Sequence, residues 1–115
     1  MTSDGSPYQR FRRAIATGNL NIIRASAAEL PRIGVGEAAS ILLVIAEREP
    51  DRYQRAAVRW LGKLCLERSD ARLADLGPLA EALAAVPSDP AAARAALVSA
   101  CEQAGLREAA VAFGR

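Results

Sequence analysis

Ala38-Ala39-Ser40-Ile41-Leu42-Leu43-Val44-Ile45-Ala46 is the longest charge-free run in the middle of the chain, and it admits two readings. Its β-branched residues suit a buried strand, whereas its length and flanking alanines suit a helix. A strand needs a partner, and no other segment of the sequence is strand-like, so the run reads as a helix that is apolar all round and therefore surrounded by other helices. With this segment helical, the whole chain reads as all-α.

The segments on either side carry helix punctuation. Ser6-Pro7-Tyr8-Gln9 places an N-cap, a proline at the first helical position and a glutamine that can close a capping box. The first helix then shows Tyr8, Phe11 and Ile15 on one face and ends at Gly18. Asn19 caps a second helix whose Leu20, Ile23, Ala27 and Leu30 form one stripe before Pro31 stops it. The short Gly18-Asn19 link demands an antiparallel hairpin. After the charge-free helix, Glu49-Pro50-Asp51 makes a second tight turn, with Asp51 as the expected N-cap of a helix running to about Arg68. A loop is expected from Ser69 through Gly77-Pro78. A fifth helix then buries Leu79, Leu83 and Val86, and Asp89-Pro90 starts a sixth that buries Ala93, Leu97, Ala100, Cys101 and Ala104. Gly105 breaks the chain, and Leu106, Ala110 and Phe113 mark a last short helix.

The expected architecture is thus six to seven short helices in stacked antiparallel αα-hairpins, a helical-repeat-like stack or compact bundle, with residues 1–6 as a polar leader and 7–115 as a single helical domain. Hairpin turns near Gly18, Pro50 and Ser88 are spaced like those of helical-hairpin repeats. No named repeat fits: Trp60-Leu61-Gly62 is contiguous where the tetratricopeptide pattern spaces these residue types apart. A chain of 115 residues buries roughly two thirds of its unfolded surface, enough for a core without staples.

Composition excludes much chemistry. The chain has no His, which removes the usual general base near neutral pH and the commonest transition-metal ligand. Cys65 and Cys101 form no ligand cluster, and both read as buried thiols on apolar helix faces. The carboxylate pairs Asp70/Asp75 and Glu47/Glu49 read as solvated helix ends. Gly34-x-Gly36 lacks the third glycine and the preceding strand of a phosphate loop. A helix-turn-helix over Ala27 to Ala46 fails because Pro31 would sit inside its first helix and Ile41 to Ala46 offers nothing polar to base edges. No enzyme activity, cofactor or metal is expected. The polar N-terminus, the short apolar runs and two widely separated cysteines lead to the expectation of a cytoplasmic protein that makes no use of a membrane.

Charge is balanced at 15 basic against 13 acidic residues, and Lys63 is the sole lysine beside 14 arginines, a skew that suits GC-rich coding. Only local clustering therefore carries information. On the fourth helix Arg52, Arg55, Arg59 and Lys63 fall at offsets 0, 3, 7 and 11, one stripe roughly 80° wide. Tyr53, Ala57, Trp60, Leu61 and Leu64 take the opposite arc. Arg48 extends the patch, and Trp60 is expected near its edge. The four cations are the candidate partner-binding residues. Three uses are open to them: an ordinary solvated face, a surface for another protein, or a strip for nucleic-acid phosphates without base reading.

The segments Ala14-Ile15-Ala16-Thr17-Gly18-Asn19, Ala27-Ala28-Glu29-Leu30 and Arg52-Tyr53-Gln54-Arg55-Ala56-Ala57-Val58-Arg59-Trp60-Leu61 resemble those of short uncharacterised helical proteins of GC-rich bacteria. The resemblance covers about residues 11 to 68. It implies a helical-hairpin fold and carries no functional residue. The expected function is a small helical protein–protein interaction module, an adaptor or accessory subunit whose partner is another protein or a second copy. The alternative is a non-specific nucleic-acid-binding accessory or regulatory protein using the helix 4 stripe.

Overall fold

The computed structural model describes residues 6–115, and every regular element among them is a helix: α1 (Pro7–Thr17), α2 (Leu20–Ala27), α3 (Val35–Arg48), α4 (Pro50–Glu67), α5 (Leu73–Ala85), α6 (Pro90–Gln103) and α7 (Arg107–Gly114). The leader expected over residues 1–6 lies, apart from Ser6, outside the described residues.

Local chemistry sets most boundaries. Ser6 Oγ accepts from the Gln9 amide at 3.2 Å ahead of Pro7, and Asn19 Oδ1 accepts from the amides of Asn21 and Ile22, so both helices of the first hairpin begin on satisfied donors. Glu37 Oε1 accepts from the Gly34 amide at 2.8 Å, and Asp89 Oδ1 from the Ala92 amide at 3.3 Å. Gly105 ends α6 with φ at 75°, letting the Leu106 amide reach back to the Cys101 carbonyl at 2.8 Å and the Gly105 amide to Glu102. This paired closure satisfies two terminal carbonyls and turns the chain directly into α7.

Three boundaries differ from the sequence reading. Regular α2 stops at Ala27, although Leu30 beyond it is still buried. Pro50, not Asp51, opens α4; Asp51 sits in the first turn, where its charge suits the helix dipole. Most of the expected Ser69 to Pro78 loop is helix, since α5 begins at Leu73 and carries Pro78 inside it. Proline at the sixth helical position gives up one hydrogen bond to the first turn. That turn is held from the other side, where Asp75 Oδ2 accepts from the Arg72 amide at 3.2 Å.

Packing builds two cores that share α3. The larger joins α3 to α7 around Leu42, Trp60, Leu64, Leu79, Leu97 and Phe113. Here the Trp60 and Phe113 rings meet edge to face, their centroids 5.4 Å apart. The smaller holds the α1–α2 hairpin on α3 through Phe11, Ala14, Leu20, Ile23, Leu30 and Val44, and Ile45 packs against both cores. Helix α7 turns back onto α3: at the buried Gly36 an added Cβ would lie 3.2 Å from both the Glu108 Cβ and its carbonyl oxygen. So α3 is covered by α2, α4 and α7, much as its sequence demands. It is not enclosed all round, because Ser40, Leu43 and Glu47 border a cleft between α1 and α7.

Candidate functional site

Helix α4 is 18 residues long and packs mainly against α3, with further contacts to α5 and, through Trp60 on Phe113, to α7. Its inner stripe of Tyr53, Ala57, Trp60 and Leu64 is buried, as its spacing requires. Both polar aromatic tips are satisfied: the Tyr53 hydroxyl donates to the Leu83 carbonyl at 2.7 Å, and Trp60 Nε1 donates to the Val35 carbonyl at 3.0 Å. Trp60 is therefore a core residue that ties α4 to the start of α3. It does not border the basic stripe, which corrects the placement expected from sequence.

The four candidate cations do share one side of α4 but are not equivalent. Arg52 leans back to Glu49 at 3.6 Å, and Lys63 pairs with Glu67 at 2.8 Å while half buried. Arg55 and Arg59 are exposed and, among the described residues, make no ion pair or side-chain hydrogen bond. Arg48 does not extend the stripe. Its guanidinium turns to the α1–α2 link, where a Cβ on Gly18 would come 2.9 Å from Nη2. Two free guanidinium groups remain.

Three further residues on this face escape a reading that follows charge alone. Val58 is 63% exposed and Leu66 88%, and between them at one-turn spacing lies Gly62, around which an added Cβ would meet nothing within 4 Å. The signal is present as Val58-x3-Gly62-x3-Leu66, interleaved with the arginines and opposite the buried stripe. Cys65 belongs to the same side and is exposed, which corrects its assignment as a buried thiol; it falls about 110° around the helix from the buried stripe. Cys101 is buried as expected, and burial raises its thiol from the ordinary 9.0 to about 11.

A concavity of about 870 Å³ runs between α1 and α7 over α3. Ile15, Leu43, Val44 and Ala112 line it, with Arg12, Glu47, Arg107 and Glu108 among its charged groups. Arg94 is fixed there by donating to the carbonyls of Phe113 and Arg115, and Glu37 is occupied in capping α3. Its charges are of both signs, and Ser40 contributes a hydroxyl with no side-chain hydrogen bond to a base among the described residues. Three of the four carboxylates in the candidate pairs have structural partners. Asp70 is held below the ordinary carboxyl range by its two hydrogen bonds from Arg68, which also reaches the Gly105 carbonyl, while Asp75 caps α5 and Glu49 receives Arg24 and Arg52.

No protein-family model, curated protein or solved structure matches the chain. Among the described residues no helix is long and apolar enough to cross a membrane.

Proposed function

We propose that this chain is a small helical protein–protein interaction module, an adaptor or accessory subunit without catalytic activity, that binds through the outer face of α4. The observation that carries this reading is the mixture on that face: exposed Val58 and Leu66 interleaved with the unpaired Arg55 and Arg59. Apolar side chains gain nothing beside a phosphate backbone, whereas burying a leucine against a protein is worth about 1.5 to 3 kcal/mol. Arginine, with its planar fork and weakly hydrated charge, suits the surround of such a contact. The nucleic-acid alternative depends on cation number. Two free guanidinium groups release about two counterions on duplex DNA, too few for more than weak binding.

A photo-crosslinking amino acid placed at residue 58 or 66 in cells, with the exposed position 81 of α5 as the control, tests the reading. A discrete protein adduct from 58 and 66 but not 81, lost on Arg55→Glu plus Arg59→Glu, supports it. Fluorescence anisotropy of a labelled duplex covers the alternative. Salt-sensitive binding that disappears in the same double variant, with no protein adduct, would replace the first reading by the second.

A further inference from the structure

We propose that the cleft between α1 and α7 is a second docking site, which takes an acidic amphipathic helix of a partner protein laid antiparallel along α3. It is separate from the outer face of α4, and neither site depends on the other.

The walls fix the shape. The Tyr8 hydroxyl donates to the Arg32 carbonyl at 3.5 Å ahead of α3, and Gly18 lies against the Arg48 guanidinium at its end, so α1 runs beside α3 in the same direction. Helix α7 begins at the same end, with Glu108 packed on Gly36. The cleft is thus a trough whose floor is one stripe of α3, Gly36, Ser40, Leu43 and Glu47. Exposed Tyr8 on one rim and exposed Val111 on the other add apolar surface to it. A floor about 16 Å long between two helical walls accepts a rod. An extended peptide would meet no strand edge there and would leave its own amides unpaired, whereas a helix brings them satisfied.

Charge selects the guest. Glu37 is engaged by the Gly34 amide, and Arg94 by the carbonyls of Phe113 and Arg115. Glu108 Oε2 would lie 3.9 Å from a Cβ on Gly34, over the first turn of α3, where the helix dipole holds it. What remain are Arg12, Arg107 and Arg115 against Glu47 alone, all four exposed and, among the described residues, without an ion pair or side-chain hydrogen bond. Free guanidinium groups on both walls match carboxylates on both sides of an apolar stripe. Arg107 and Arg115 also stand about 12 Å apart along α7, whereas a small-molecule site converges its polar groups. Direction follows from the dipoles. Helices α1, α3 and α7 all start at one end of the trough, where Arg107 is, and Glu47 lies at the other. A guest helix is stabilised with its C-terminal carbonyls toward Arg107 and its N-terminus toward Glu47.

Heteronuclear NMR of the chain with three synthetic peptides of the length of α3, 14 residues, tests this. The first carries leucines at i, i+4, i+7 and i+11 flanked by glutamates, the second has lysines in place of the glutamates, and the third is the first with a central proline. The acidic peptide should shift the amides of Ser40, Leu43 and Val111, and a spin label at its N-terminus should broaden Glu47 more than Gly36. The proline peptide should bind at least tenfold more weakly. Arg12→Glu with Arg107→Glu should weaken the acidic peptide at least tenfold and strengthen the basic one, a gain that requires a folded cleft. Arg55→Glu with Arg59→Glu should leave the cleft shifts unchanged. No cleft shifts at about 1 mM acidic peptide, equal binding of the acidic and basic peptides, or an unchanged affinity in the Arg12, Arg107 variant would each overturn the inference. Tighter binding of dodecanoate than of the acidic peptide at the same amides would overturn the helix as occupant. Shifts confined to α4 would overturn this site and leave the α4 reading standing.

Discussion

Cys101 and Tyr53 sit in the larger core with almost no exposed surface, and burial lifts both acids: the thiol to about 11 and the phenol from 10.0 to about 12. Each is thus protonated more tightly in the folded chain than in the unfolded one, so its contribution to stability is complete below its ordinary value and is lost as pH rises through the folded value. Stability should fall from about pH 9 to 11 through Cys101 and from about pH 10 to 12 through Tyr53, by up to about 2 to 3 kcal/mol for each. Urea titrations at stepped pH check this. Tyr53→Phe should lower stability at neutral pH by about 1 kcal/mol, for its lost bond to Leu83, yet flatten the steepest alkaline limb. At neutral pH the two thiols should also separate by reactivity. Cys65 should react with a thiol reagent in the native state, and Cys101 only after opening of the core. One fast and one slow equivalent is the expected trace, and Cys65→Ser should delete the fast one. In the sequence the cysteines look alike, because each follows a leucine or an alanine in an apolar stretch. What separates them is about 110° of helix rotation, visible only when position 65 is set against the full stripe of Tyr53, Ala57, Trp60 and Leu64.

Among the elements, those with a side-chain cap or a clean 3.6-residue stripe are readable from the residues alone: α1 from Ser6-Pro7, α4 from its inner stripe, α6 from Asp89-Pro90. Helix α5 is not readable at its start, because Gly77-Pro78 imitates a break. The compensating signal, Asp75 closing on the Arg72 amide, belongs to a box without serine or threonine. Pro78 is exposed and withholds a donor from the first turn, so Pro78→Ala should stabilise the chain by about 1 to 2 kcal/mol and raise amide protection between Leu73 and Gly77. Thermal melts and hydrogen exchange read the two effects separately. An unchanged melting point would mean that the proline offsets its missing bond by restricting the unfolded chain. The basic stripe is half legible on the same grounds. Spacing places Arg52, Arg55, Arg59 and Lys63 together and sets Glu67 one turn beyond Lys63 on the same face, but Glu49, which engages Arg52, precedes the helix and lies outside the periodic segment.

At the scale of the whole molecule, the all-α architecture follows from one decision about the segment Ala38 to Ala46, and the structure bears it out. The division into two cores does not follow, since stripes say which face is buried and not which neighbour covers it. The return of α7 onto α3 depends on Gly36, whose missing side chain admits Glu108, a contact between residues 72 positions apart. The α1–α2 hairpin has fewer apolar residues to hold it than the α3–α7 body, and its own core touches only α3. Ile23, fully buried there, is its main anchor. Ile23→Ala should cost about 2 to 4 kcal/mol and release protection across α1 and α2 while α4 to α6 keep theirs. Leu97→Ala should instead lower protection throughout. Uniform loss in both variants would mean that the two cores open as one. The sharing of α3 also has a mechanical consequence. Stretched between Ser6 and Arg115, the chain should yield in two steps, the hairpin peeling first. About 25 residues at about 3.5 Å each would then release roughly 85 Å of slack, at a lower force than the body withstands. Tension at the N-terminal end would thus be absorbed before it reached α4, leaving the outer face of that helix intact under load.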